Sequence, residues 1–535
     1  MIETLRRLRT AGRCRNRAGL VSALVMSALV LPALAAYAPA AAQTRFVFAN
    51  PATYDTLDPH VNMDAARVAP RLNLYDGLLR WEDNPAKLEL WLAEKYSVSE
   101  DGRTYTFDLR KGAQFHDGRE IKAADVVYSI ERILALKQGA FGLLASMLAP
   151  GSTKAAGEHT VEFNLIKATP IFLAILPEVN IVNTALVKKH EINNDWGNAW
   201  LAKNDAGSGS YRLQLYNPAT GFIAERFKEH WNTRWGPKPI DEIEFRTVGD
   251  TAIRVRGLIA GEFHGSDGYF PPEQLKALRD ASGIYVTEAD SMRLFYGILH
   301  NGREPLTDIN FRKALAHAFD YDAFNKGILG DTVVRNPFPL PGNSWGAPKG
   351  AKGYAYDLKK AQDYLARLTT TPREITIGAI AGYPQSEKAA ALMQAALEKL
   401  SIASKVVTEP LAIVQTRMRD EKQMYDVLFL WKSAVYADPN NWVGELYDCD
   451  QFGGRNSSWY CNRDVDGLLK EALTPSAQDI RRKNYEKAAV LVMEDAAGIF
   501  INRPKWLAPF SKKVTGIRFS PIGEGQEMRW ASMEP

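Results

Sequence analysis

The sequence predicts an α/β protein of more than one domain, on three observations. The chain has 535 residues, more than one hydrophobic core normally organises, so two or three domains follow. From "DINFRKALAHAFDYDAFNKGIL" (308–329) onward, helical patterns alternate with the apolar runs "REITIGAI", "SKVVTE" and "YDVLFLW". Apolar strands set between helices belong to a buried sheet in an α/β domain. In the first half, "TYTFDL" and "YRLQLYNPATGFIAERF" alternate apolar with polar residues, as strands and a hairpin do.

Residues 1–42 read as a separate object. Six arginines between Arg6 and Arg17 precede "AGLVSALVMSALVLPALAA", and small residues stand at Ala40 and Ala42. Basic, apolar and A-x-A segments in that order make a secretory signal peptide, with cleavage after Ala42. The alternative is an uncleaved membrane anchor, against which Pro32 and the A-x-A site count. No cysteine adjoins the cleavage site, so lipid attachment is not expected. The formal net charge of +4 belongs to this segment: it holds six Arg and one Glu, which leaves 60 basic and 61 acidic residues, net −1. Nothing in that balance points to nucleic acid or an anionic membrane.

"TRFVFANPATYDTLDPH" reads as a strand running into a polar turn, ended by Pro59. "AARVAPRLNLYDGLLRWED" is a short helix leading into a strand, and short strands follow up to "FHDG" (115–118). Val126, Val127, Ile130, Ile133 and Leu134 then recur on one face of a helix, with Asp125 in the first turn, where a carboxylate suits the dipole. After the hairpin come the strand "IDEIEFRTV" and the helix "DTAIRVRGLIAGEF". No internal repeat or low-complexity linker interrupts the chain beyond residue 42.

Cys449 and Cys461 bracket a Gly/Asn/Ser loop, "YDCDQFGGRNSSWYCN". In an exported chain, such a pair reads as a disulfide. There is no C-x₂-C, no H-E-x-x-H, no histidine pair at ligand spacing, no G-x-S-x-G and no Walker loop. No metal site, cofactor or catalytic residue is therefore expected. His116 and Asp117 are the residues that most suggest catalysis.

"LRKGAQFHDGREIKAADVVYSIERI" resembles the signature of the family 5 extracellular solute-binding proteins, the peptide, nickel and opine receptors of ABC importers. Leu109, Arg110, Gly112, Phe115–Gly118, Ala123, Asp125, Val126, Ser129 and Arg132 carry the match. Lys122 departs from it, standing where the family has a Thr cap, so the helix start is expected to be less well capped. Further blocks agree in order: "TLDPH", "LYDGLL", "GSGSYRLQLYNP", "RVRGLIAGEFHG", "PLTDINFRKALAHAFD", "YDLKKAQDYLA", "YDVLFLWKSAVYADPNNW" and "NRDVDGLLKEAL".

The resemblance implies a two-lobed periplasmic binding protein of type II, cluster C, with an inserted domain. Residues 43–63, 201–300 and 505–535 would form lobe I, 64–200 the inserted domain, and 301–504 the other lobe. Ligand would bind between lobes that close by a hinge. The same likeness makes His116 and Asp117 part of a structural turn. It implies ligand contacts at Thr53, Tyr54, Asp267, Tyr269, Arg293, Trp431, Tyr436 and Asp438. Trp431 matches the tryptophan that faces ligand in peptide receptors. Three residues on, where those receptors place an Asp for the peptide's ammonium, this chain has Ala434. Lys432 beside Trp431 suits an anionic ligand.

The expected function is therefore that of a periplasmic, monomeric binding protein, not an enzyme. It would capture a peptide or peptide-like solute and pass it to the permease subunits of an ABC transporter. A non-peptide solute (an opine, sugar conjugate or metal chelate) is the alternative, favoured by the missing Asp. A secreted enzyme of the same fold is the remote one.

Overall fold

The strand Gly498–Ser511 is the spine of the molecule. Its first part, through Gly498–Asn502, pairs antiparallel with Leu294–Leu299. Beyond that lie Val427–Lys432, antiparallel to Leu294–Leu299, and then Ile375–Ile380 and Ser404–Glu409, joined by parallel ladders. Its second part, Lys505–Ser511, pairs with Ile284–Asp290 and meets Gly265–Ser266. From there the sheet continues through Arg45–Asn50 and Glu242–Thr247 to the hairpin of Tyr211–Asn217 and Gly221–Arg226. One 12-stranded sheet therefore spans both halves. The chain passes from one half to the other between Asp290 and Leu294, and again along 502–505.

This computed structural model describes residues 43–61, 63, 68–268, 270–330, 332–369, 371–474, 477–523 and 525–534. The signal-peptide reading of residues 1–42 and the site residue Tyr269 lie outside them. Residues 43–535 form one compact unit. Among the described residues no helix is long and apolar enough to cross a membrane.

Each half has its own core. Phe46, Phe48, Phe245 and Phe510 pack together in one, and Phe295, Phe429, Ile377 and Ile499 in the other. Alternation explains the second: Phe429 and Val427 face it, while Leu428 and Leu430 face a further core with Trp442 and Tyr485. A four-stranded antiparallel sheet, in the order Ala93–Val98, Thr104–Leu109, Thr160–Asn164, Thr153–Ala155, forms a separate layer. The helix Ala123–Leu136 covers it, and Phe107, Val126, Ile130, Ile133 and Phe163 fill the core between them.

The departure at Lys122 costs that helix little. The Asp125 carboxylate accepts from the Lys122 backbone N–H at 3.0 Å, so a side chain in the first turn performs the capping. The helix ends at Lys137 in the left-handed conformation, φ 54°.

Candidate functional site

The residues that join the two halves define the place where a hinge can work. Arg503 donates to the Asp290 carboxylate at 2.6 Å and to the Ser291 carbonyl at 3.2 Å. The Ser291 hydroxyl donates to the Pro504 carbonyl. Two chain segments thus cross side by side, tied by these polar contacts, with Met292 between them buried in the core that holds Leu294 and Trp442. Such linkers absorb rotation more readily than packed layers.

Just past this crossing stands Arg293. Its guanidinium carbon lies 5.2 Å from the centroid of the Trp431 ring. Trp431 is half-buried near the end of its strand. Phe295, its register partner across the ladder, packs on it at 4.9 Å between centroids, and Tyr383 does so at 5.7 Å. An aromatic plane under a cation at a strand's C-terminal end suits a ligand that presents both apolar area and an acceptor.

Lys432 follows on the opposite face. Its ammonium donates to Glu445 at 3.2 Å, and the two side chains are 14% and 9% exposed. Glu445 also accepts from the Tyr436 hydroxyl at 2.9 Å and the Asn441 amide at 3.3 Å, with Arg455 at 3.7 Å. Burial lowers the Lys432 pKa, and Glu445 only partly opposes it.

The other sequence-predicted residues fall into separate settings. Thr53 is exposed. Tyr54 is buried edge-on against Phe222, and its hydroxyl accepts from Asn50 at 2.8 Å. Asp267 pairs with the buried Arg254, close enough to Tyr54 for its charge to help raise that phenol's pKa, after burial. Tyr436 is fully buried and packs into the core of the four-stranded layer. Asp438 is buried too: Arg481 donates to both its oxygens at 3.0 and 2.8 Å, and it caps the short helix Pro439–Asn441 through the Asn440 N–H at 3.0 Å. Burial raises its pKa despite that partner. The structure thus brings Trp431 and Arg293 together, sets Tyr54 near Asp267, and commits Tyr436 and Asp438 to internal bonds.

His116 is equally committed. Its ring bonds the Asp205 carboxylate at 2.6 Å and the Gly209 carbonyl at 2.9 Å. Asp117 accepts from the Asn183 amide at 2.7 Å and the Arg119 N–H at 3.1 Å. This turn fastens the four-stranded layer to the segment 205–209.

Sequence reasoning missed a buried charge network. Asp76 accepts from the Trp91 indole at 2.6 Å and Ser208 at 3.0 Å, and is bonded to His230 at 3.2 Å. Arg529 bonds Glu527 at 2.9 Å, and Glu527 meets Arg80 at 2.5 Å. Burial works against the Asp76 charge, but His230, Trp91 and Arg529 hold its pKa well below the usual carboxylate range. Burial dominates in lowering that of His230. No spacing signal could have shown residues this far apart in sequence.

Cys449 and Cys461 are joined in a disulfide. Among the described residues, the one cluster of His, Cys, Asp and Glu within metal-ligand reach is this pair with Asp466, and both sulfurs are already bonded to each other.

Comparison with known proteins gives a consistent answer. A family model described as bacterial extracellular solute-binding proteins, family 5 Middle, matches residues 87–454. The probable D,D-dipeptide-binding periplasmic protein DdpA of Escherichia coli (strain K12) is 30% identical over 486 residues, 89% of this chain and 92% of that protein. The dipeptide-binding protein of the same strain is 26% identical over 483 residues, covering 85% and 88%. Among solved structures, the ABC transporter-associated periplasmic binding protein DppA from Helicobacter pylori, in complex with peptide STSA, matches with a TM-score of 0.80. It is 25% identical, with 92% of this chain and 98% of that chain covered.

Proposed function

The chain belongs to the family 5 bacterial extracellular solute-binding proteins, and on that premise we propose that it is the peptide receptor of an ABC importer. Its fold is the two-lobed α/β fold of periplasmic binding proteins. The family is a class of binding proteins, not of enzymes. The solute, a dipeptide or short peptide-like molecule, is held between two lobes that turn about the crossing at 290–294 and 502–505. The loaded protein then meets the membrane permease. It works as a monomer in the periplasm, after loss of residues 1–42.

The observation that carries this reading is the pairing of Arg293 with Trp431 immediately beside the crossing. A ligand seated there touches one lobe directly, and closure brings the other lobe onto it. Closure of the empty protein is unfavourable, and ligand contacts to both lobes offset it. Trp431, Arg293, Thr53, Asp267 and Tyr269 are proposed as ligand contacts. Tyr54, Tyr436 and Asp438 frame the site from behind, since their polar atoms bond other protein groups. We keep lobe I as 43–63 and 505–535 with the middle piece, expected to run from 201 to 300, ended at 290, because Leu294–Leu299 pairs with Val427–Lys432 of the other half, and the inserted domain as 64–200.

A non-peptide solute is the second reading. It is favoured by Ala434, which has no carboxylate for an ammonium and whose carbonyl is taken by the Gly523 N–H at 3.0 Å. Mass spectrometry of ligand released from protein purified without unfolding separates the two. A series of dipeptide to pentapeptide masses supports the first, and one small non-peptide mass the second.

A further inference from the structure

We propose that the inserted domain takes part in closure: Tyr436 enters its core from the opposite lobe when the cleft shuts and leaves it when the cleft opens, so that affinity depends on a contact the solute never touches. This rests on the two-lobed receptor reading above and adds to it where the closing surfaces lie.

Two apolar cores exchange one residue each. Tyr436 is buried in the cluster of Trp91, Phe115, Ile130 and Leu176, and among the described residues every other buried member of that cluster lies between 78 and 181. Val435 and Leu473 pack against the same cluster. In return Ile522, from the tail assigned to lobe I, is buried in the cluster of Ala434, Trp442 and Tyr485. Among the described residues, the other buried members of that cluster lie between 292 and 500. Beside it the Gly523 N–H donates to the Ala434 carbonyl at 3.0 Å. Trp81 of the inserted domain packs against both clusters.

The bonds around this seam give it a fixed and a movable side. On the fixed side, buried charges fasten the inserted domain to lobe I: Arg132 to Asp58 at 2.5 Å, His116 to Asp205 at 2.6 Å and Asp76 to His230 at 3.2 Å. Separating those pairs would leave charges unpaired in an apolar setting. On the movable side, the Tyr436 hydroxyl donates to Glu445 at 2.9 Å and accepts from the Asn440 amide at 3.0 Å, and the Val435 N–H donates to Asn441 at 3.0 Å. All three partners belong to the lobe that carries Tyr436 and travel with it. Withdrawal of the loop therefore exposes apolar area and frees the Gly523 to Ala434 bond, whose two groups water then satisfies. Burying that apolar area again favours closure by the same amount for every solute.

The test is thiol labelling of Tyr436→Cys and Ile522→Cys in the chain from Gln43, whose own Cys449 and Cys461 are bonded to each other, with Ile130→Cys as the control within the core. In protein stripped of solute, maleimide should modify the new thiols at 436 and 522 on the order of tenfold or more faster than the one at 130. Saturating L-Ala-L-Ala or L-Ala-L-Ala-L-Ala should slow both, relative to 130, by a factor on the order of ten or more. In Tyr436→Ser and Ile522→Ser, calorimetry and stopped-flow kinetics should show both peptides weakened by one common factor, on the order of tenfold, carried by faster dissociation. Thiols at 436 and 522 as protected in the stripped protein as the one at 130 overturn the inference, as does unchanged peptide affinity in a folded serine variant, and either result leaves the receptor reading intact. Binding of neither peptide overturns the peptide reading, while labelling of the stripped protein still decides whether Tyr436 leaves the inserted domain.

Discussion

Arg293 and Trp431 are held together across the boundary between hinge and sheet. The guanidinium lies 5.2 Å from the ring centroid, and Arg293 is the last residue before the strand that pairs with Trp431. A rotation about 290–294 therefore moves the cation and its aromatic partner with the same lobe. If the proposed site is right, Trp431 is then a fixed platform on which the other lobe closes.

Trp431→Ala should accordingly weaken ligand binding by roughly 1–3 kcal/mol, the scale of a central aromatic anchor. Arg293→Met, which keeps the length and removes the cation, should cost about 0.5–2 kcal/mol. The ring also packs on Phe295 and Tyr383, so Trp431→Ala should lower the thermal midpoint of the empty protein slightly. Calorimetry with the ligand recovered from the native protein, beside thermal melts without it, checks both. Unchanged affinity in Trp431→Ala would place the ligand elsewhere.

The disulfide offers a chemical test. Cys449 and Cys461 are bonded, closing a loop with a sequence separation of 12. Thiol titration of the denatured, unreduced chain from Gln43 should find no free thiol. The chain-entropy model gives a loop of this size about 3 kcal/mol. Cys449→Ser with Cys461→Ser should therefore lower the free energy of unfolding by roughly that amount in urea titrations. A difference below about 1 kcal/mol would mean that the loop is already ordered without the bond.

His116 looks catalytic in sequence and is structural in its contacts. It ties the segment 115–118 to 205–209 through Asp205 and the Gly209 carbonyl. His116→Ala should leave ligand affinity unchanged and destabilise the fold by roughly 3–5 kcal/mol, as loss of one partner from a buried pair does. Burial opposes its charge, but Asp205 and the hydrogen bonds leave its pKa raised. Its contribution is thus complete below the ordinary histidine value and fades as pH rises through the raised one. Affinity loss without stability loss would reverse this assignment.

Much of the fold is legible in the sequence because its pattern is local. The strand Thr104–Leu109 alternates, and its buried positions are Tyr105, Phe107 and Leu109. The helix Ala123–Leu136 buries Val126, Ile130, Ile133 and Leu134, with Val127 only partly buried beside them. The spine strand is not legible in the same way. "GIFINRPKWLAPFS" contains Pro504 and Pro509, which argue against a long strand. Yet Pro504 stands at the crossing, where the pairing partner changes from one half to the other. The site divides likewise. Trp431 is visible as the end of an apolar run, whereas the sharing of Glu445 by Lys432 and Arg455 depends on a fold of the loop that no spacing announces.

His60 should limit stability in acid. It is fully buried, and its Nδ1 accepts from Arg132 at 3.0 Å while Nε2 bonds the Asn180 carbonyl at 2.7 Å. Protonation at Nδ1 would set a second positive charge against Arg132, itself paired with Asp58 at 2.5 Å. Burial first, and Arg132 next, bring its pKa down to about 4, against the pull of Asp58 and the Asn180 carbonyl. In the unfolded chain the value is near 6.5. The unfolded state therefore takes up the proton first, so the contribution is complete above about pH 6.5 and is lost as pH falls through about 4. The full window is worth on the order of 3 kcal/mol. His60→Gln removes the titrating group at some cost in packing, so slopes are the quantity to compare, not absolute stabilities. Between pH 7 and pH 4.5 the unaltered protein should lose more stability in urea titrations than His60→Gln does, by roughly 2 kcal/mol. Identical slopes would show that the acid sensitivity resides in the carboxylates alone.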